Sequence, residues 1–153
     1  TRDYDRAIES CNDALALDPG FIFAQARLAQ LYGLKGIREQ TVAHMIASAV
    51  LSGKTELAEK MEFAHSRGGF KAAIRVQVKA DELSRKQGKW VSLTDDAWYI
   101  LLMGDEDRAL SSLDEAVQQR DPFVTALAVD PRYDRMRSDP RFVNILKRVG
   151  LPH

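Results

Sequence analysis

The sequence predicts an all-α fold: a solenoid of about nine helices stacked in pairs and closed by a C-terminal capping helix. Two internal echoes and a helical apolar periodicity predict it. Residues 3–15, DYDRAIESCNDAL, return at 105–117 as DEDRALSSLDEAV, so that Asp3, Asp5, Arg6, Ala7, Ser10 and Ala14 recur as Asp105, Asp107, Arg108, Ala109, Ser112 and Ala116. Each is displaced by 102 positions, three times 34. Thirty-four residues is the period of a helix-turn-helix repeat, whose units bury their apolar faces only by stacking on one another. In the second echo, VDPRYDRM and SDPRFVNI, Asp130 and Asp139 each precede a proline, nine residues apart.

The elements follow in order. A first helix over 3–17 carries Ala7, Ile8, Cys11, Ala14 and Leu15 at helical spacing and stops at Asp18 and Pro19. It forms a half repeat, 1–19, the second helix of a unit whose first helix is absent. The next repeat, 20–53, holds Leu28, Ala29 and Tyr32, turns at Gly36, and continues with Thr41, Met45 and Ser48. A degenerate repeat over 54–90 has one stripe at Leu57, Met61 and Ala64, a turn at Gly68 and Gly69, and a second stripe at Ala73, Ile74, Ala80 and Leu83. Ala73 follows Thr41 by 32 residues and Ala109 follows Ala73 by 36, which places a two-residue gain in the SRKQGKW stretch around Gly88. The repeat over 91–121 turns at Gly104 and uses Ala97 and Ala109 as small contact residues. Beyond Pro122 the period ends. In the cap, 122–153, Asp130 starts a single turn, and Asp139 starts an amphipathic helix with Phe142, Ile145, Leu146 and Val149 on one face and Gly150 closing it.

Composition narrows the function classes. The 22 basic residues balance 22 acidic ones, which removes the positive field a nucleic-acid-binding domain carries. The longest apolar runs, such as Ile100 to Met103, are too short to cross a bilayer. One cysteine, Cys11, excludes an intramolecular disulfide framework and points to a reducing, cytoplasmic compartment. No secretory leader is evident, and the chain opens on Thr1 without methionine, which reads as a fragment of something longer.

With Ala7, Ala14 and Pro19, then Leu28, Tyr32 and Gly36, then Gly104, Ala109 and Ala116, residues 3–121 resemble a tetratricopeptide-repeat protein. The tail ALAVDPRYDRMRSDPRFVNILKRVGLP resembles the closing segment of tetratricopeptide arrays in bacterial multidomain proteins, where they follow a winged-helix regulator, a nucleotide cyclase, a serine/threonine kinase or a propeller. The resemblance implies a right-handed α-α superhelix serving as an accessory module for an effector domain upstream of Thr1. It further implies a groove lined by the first helices of the units: Phe23, Ala26, Gln30 and Leu34 from one, and Thr94, Trp98, Leu101 and Leu102 from another. Ala26 and Gln30 stand where a carboxylate-clamping member has Lys and Asn, so the groove is expected to be apolar, with Trp98 either as its anchor or packed between units.

Other constellations bear on possible sites. Asp95 and Asp96 are adjacent and point in different directions on a helix, so they read as first-turn carboxylates rather than an acid-base pair, although Asp96 occupies an apolar repeat position. His44 and His65 are 21 residues apart without ligand-spaced partners, so no metal site is expected. Cys11 reads as core packing. SRKQGK, Ser84 to Lys89, reads either as solvated charge at a helix end or as a contact for an acidic partner or phosphate. No catalytic residues and no cofactor are expected. The leading expectation is a non-enzymatic module that binds a peptide or protein, or self-associates as a homodimer, without direct nucleic-acid or membrane contact. The alternative is a small-molecule-sensing domain controlling an upstream DNA-binding or cyclase domain.

Overall fold

Aspartates that cap helix N-termini punctuate the computed structural model, which describes residues 3–152. Asp3 accepts a hydrogen bond from the N–H of Arg6 at 3.1 Å, and its echo Asp105 accepts from the N–H of Arg108 at the same distance. Three of the four Asp-Pro steps cap a helix or turn alike, with Asp121, Asp130 and Asp139 accepting from Phe123, Arg132 and Arg141 N–H at 2.8–2.9 Å. In each, proline fills a first-turn position that needs no donor.

Among the described residues all regular structure is helical. The α-helices are α1 Tyr4–Leu17, α2 Ile22–Leu34, α3 Arg38–Leu51, α4 at 55–68, α5 at 70–86, α6 Leu93–Met103, α7 Glu106–Gln118 and α8 Pro140–Val149. The break between α4 and α5 is Gly69, whose φ of 68° and ψ of −161° form a combination that side-chain-bearing residues avoid. Two 3-10 turns, Pro122–Ala126 and Pro131–Met136, lie before α8. Eight α-helices among the described residues stand against the expected nine, and the single turn expected after Asp130 is a 3-10 turn. Only nine residues separate Asp130 from Asp139, leaving room for a turn but not a full α-helix.

The chain divides into two compact units, residues 1–77 and 78–153, with the boundary inside α5. Residues 1, 2 and 153, the outer bounds of the expected half repeat and cap, lie outside the described residues. In the first unit α1 lies on α2, with Ile8, Leu28 and Leu31 buried and Tyr4, Ala7, Cys11, Leu15 and Tyr32 packed against them. α3 packs on α2, and Tyr32 stacks on His44 at a centroid distance of 5.3 Å. In the second unit α6 and α7 form a hairpin turned at Gly104, with φ 88°, and α8 packs on α7. Leu101, Ala109, Leu113, Ala116 and Phe142 are among its fully buried side chains.

One expected stripe is corrected. Leu83 is 56% exposed, while Val78 and Asp81 are buried with Ile74. At 100° per residue, positions 78 and 81 return to the face of Ile74 after four and seven residues, whereas nine residues carry Leu83 half a turn round.

Ala109 is completely buried in the α6–α7 hairpin, leaving no volume for a larger side chain. Ala109→Phe is expected to cost about 1–3 kcal/mol of unfolding free energy in denaturant titration, and an unchanged midpoint would refute this helix pairing.

Candidate functional site

The second unit contains an open cleft of about 770 Å3, bounded by α5, the 87–92 segment, α6 and α7. Local capping builds one side of it. Asp121, buried after α7, accepts through Oδ2 from the Ser92 hydroxyl at 3.0 Å, from Leu93 N–H at 2.9 Å and, longer, from Thr94 N–H at 3.4 Å. Its Oδ1 takes Phe123 N–H at 2.9 Å. Because the Ser92 proton goes to Asp121, Ser92 Oγ is left to accept from Asp95 N–H at 3.3 Å and from the Thr94 hydroxyl at 2.8 Å. A single carboxylate thus fixes the start of α6 against the end of α7. This arrangement leaves Trp90 66% exposed at the cleft, with its ring 6.2 Å from that of Phe123.

The opposite wall is charged. Arg85 on α5 is ion-paired to Asp96 Oδ2 on α6, and the Asp96 side chain is only 2% exposed. Asp96 Oδ1 and Arg85 Nη1 are buried without a hydrogen-bond partner. Asp81, one turn before Arg85 on α5, is also buried. Loss of hydration, only partly offset by Arg85 and reinforced by the Asp81 carboxyl, pushes the Asp96 acid up to about 7. Asp96 is therefore more than a first-turn carboxylate, whereas Asp95 turns away to pair with Arg132. Arg132 also holds Asp130 at 2.8 Å, and the buried Tyr133 hydroxyl donates to the Thr94 carbonyl.

The remaining charges at the cleft are unequally committed. Glu82 is bound by Arg108 and Glu115 by the Gln119 amide at 2.7 Å. Lys86 and Lys89 make no ion pair among the described residues. Of these residues, the segment 84–89 had stood out in the sequence by its density of basic and amide groups, but nothing there marked Trp90 as exposed.

The expected groove residues fare differently in the two units. In the first, Phe23 is 78% exposed, Ala26 is exposed, and Gln30 and Leu34 are half-buried. Gln30 is engaged by Arg27. In the second, Thr94, Trp98 and Leu101 are buried, Trp98 to 8% exposure, and only Leu102 is partly open. Trp98 is thus withdrawn from solvent and does not present its ring as an anchor, because it falls on the same buried face as Leu93, Thr94, Ala97 and Leu101. Phe23 instead borders a smaller apolar cleft of about 450 Å3 between α1 and α2, with Cys11, Ala14, Phe21, Ala24 and Arg27. The Cys11 thiol is raised by burial, partly opposed by Arg27.

His44 Nδ1 lies 2.7 Å from Gln25 Oε1, and burial lowers its basicity. His65 Nε2 has the Glu39 carboxylate 3.3 Å away without hydrogen-bond alignment. That proximity was invisible in sequence spacing, yet no cluster of three metal-ligating side chains occurs among the described residues.

Two measurements check this geometry. Asp121→Ala is expected to lose about 2–4 kcal/mol in unfolding free energy, since it strands a hydroxyl and several N–H groups, and a loss below about 1 kcal/mol would refute the capping role. The raised Asp96 acid makes the native state hold a proton more tightly than the unfolded chain. Its stabilisation is whole below about pH 4 and is lost as pH rises to about 7. Asp96→Asn, which cannot ionise, is expected to reduce the stability lost between about pH 5 and 8 by at least about 1 kcal/mol, and an identical pH profile would refute the assignment. No family model, curated protein or solved structure matches this chain.

Proposed function

We propose that this chain is a non-enzymatic interaction module of tetratricopeptide-like helix pairs, arranged as a right-handed superhelix. It binds a peptide or protein partner, or a second copy of itself, in the cytoplasm on behalf of a larger bacterial regulatory protein. The observation that carries the reading is the cleft of the second unit. It is open and about 770 Å3 in volume, with Trp90, two-thirds exposed, at its edge. An exposed aromatic ring beside a concave, mixed polar and apolar surface is where interfaces concentrate binding energy. The shared Asp caps of the 102-residue echo support the repeat assignment. Absence of any helix long and apolar enough to cross a membrane, among the described residues, accords with action away from the bilayer interior.

This reading moves the binding residue from Trp98 to Trp90 and the binding surface from the groove positions to the cleft bounded by α5, the 87–92 segment, α6 and α7. Peptide-array screening of the full chain, followed by titration of the hits, tests it. Trp90→Ala is expected to weaken binding about tenfold or more at unchanged melting temperature. The reading fails if Trp90→Ala binds the hits normally, or if no peptide binds while a metabolite screen raises the melting temperature, which would favour the sensor.

A further inference from the structure

The cleft's chemistry narrows its occupant, if the interaction reading holds. Its carboxylates are occupied within the protein: Asp96 by Arg85, Glu82 by Arg108, Glu115 by Gln119, and Asp121 by the Ser92 hydroxyl and backbone N–H groups. Its cations are only half used. Arg85 and Arg108 are paired, and Lys86 and Lys89 are not.

A basic side chain in the last turn of a helix often serves the free carbonyls there. Here the backbone serves them. Gln87 N–H donates to Leu83 O at 3.1 Å, Gly88 N–H to Arg85 O at 2.9 Å and Lys89 N–H to Ser84 O at 3.0 Å. Gly88 makes this closure possible with φ of 78°, and the two ammonium groups remain available to the cleft. Trp90 follows immediately, with the Phe123 ring beside it. Burial holds the Asp96 acid up to about 7, so the cleft carries less negative charge near neutrality than its carboxylates formally supply.

We propose that this cleft binds an acidic peptide segment, with Lys86 and Lys89 pairing with its carboxylates and Trp90 covering an adjacent apolar residue. A polynucleotide is disfavoured, because two free ammonium groups on a chain with 22 cations against 22 anions supply too little counterion release. Lys86, Lys89 and Trp90 lie at the end of α5 and just after it, and none of the eight groove positions on α2 and α6 lines the cleft.

The test titrates the full chain with two labelled hexapeptides, Glu-Glu-Leu-Phe-Glu-Glu and its glutamine counterpart, by anisotropy and by amide chemical-shift mapping. The acidic peptide is expected to bind about tenfold or more tightly than the neutral one, to weaken as salt rises, and to move the signals of residues 84–92. Lys86→Gln combined with Lys89→Gln is expected to cost about tenfold in affinity at unchanged melting temperature, and Lys86→Arg with Lys89→Arg to retain binding. Equal binding of both peptides at the cleft, or an unaltered affinity of the glutamine double variant, would overturn acidic recognition while leaving the interaction reading intact. Failure of both probes, together with failure of the peptide array, would remove both. Full displacement of the acidic peptide by inorganic phosphate at about 10 mM, with the same residues shifted, would overturn the peptide proposal in favour of a small-anion site.

Discussion

The Asp121 carboxylate is the constraint on which the second unit depends. Residues 92 and 121 are far apart in sequence, yet one side chain takes the Ser92 hydroxyl, the N–H groups of Leu93 and, more weakly, Thr94, and the Phe123 N–H. Each interaction satisfies a donor that a helix or turn start leaves without an intrahelical acceptor. Together they also set where α6 begins, and the residues just before it have little freedom left. Trp90 is two positions from Ser92, and Phe123 is two from Asp121, so the aromatic edge of the cleft follows from the same cap. Tyr133 and Arg132 extend the arrangement by engaging the Thr94 carbonyl and Asp95, which ties the turn before α8 to the start of α6.

Stability and site chemistry oppose one another on the facing wall. An isolated buried carboxylate is costly, and Asp96 offsets that cost only in part through Arg85. A leucine would suit the repeat and the surrounding apolar residues Leu93, Ala97 and Ile100 better. The arrangement of Asp81, Arg85 and Asp96 therefore sacrifices stability at neutral pH, and it does so beside the cleft. Perturbed ionisable groups gather where structure serves something other than stability. Here the consequence is local: a protonated Asp96 lowers the negative charge of the wall and leaves the cationic rim less opposed.

Local features were legible in the sequence, and long-range partners were not. Helix starts at Asp3, Asp105 and Asp139 were readable because an Asp cap and its N–H lie two or three residues apart. The breaks at Gly69 and Gly104 were readable because only glycine enters those conformations cheaply. Leu83 was misplaced because a period of 34 residues specifies which helices recur, while the exact angular position depends on where α5 starts after Gly69. Trp98 reads from sequence either as an anchor or as packing between units, because aromatic residues serve both cores and interfaces and residue type alone does not separate the two. The structure does, at 8% exposure for Trp98 against 66% for Trp90. Asp96 was recognised as out of place, but its partner Arg85 lies 11 residues earlier, across a turn, and only three-dimensional packing could show it.

The difference between the two tryptophans also explains why the cleft lies where it does. In a hairpin of paired helices the first helix is covered early, and α6 accordingly buries Leu93, Thr94, Ala97, Trp98 and Leu101. A helix so thoroughly covered has little surface to offer a ligand, however apolar its sequence. The two-residue gain between Ala73 and Ala109 falls near the 87–92 segment, which lines the cleft together with α7, and Gly88 turns it without consuming the lysine side chains. What appears in sequence as a departure from the period thus coincides with one side of an open, mixed polar and apolar cleft. A strictly periodic connection would shorten this segment, and the departure from periodicity at 84–90 is the sequence feature that coincides with the cleft edge at Trp90.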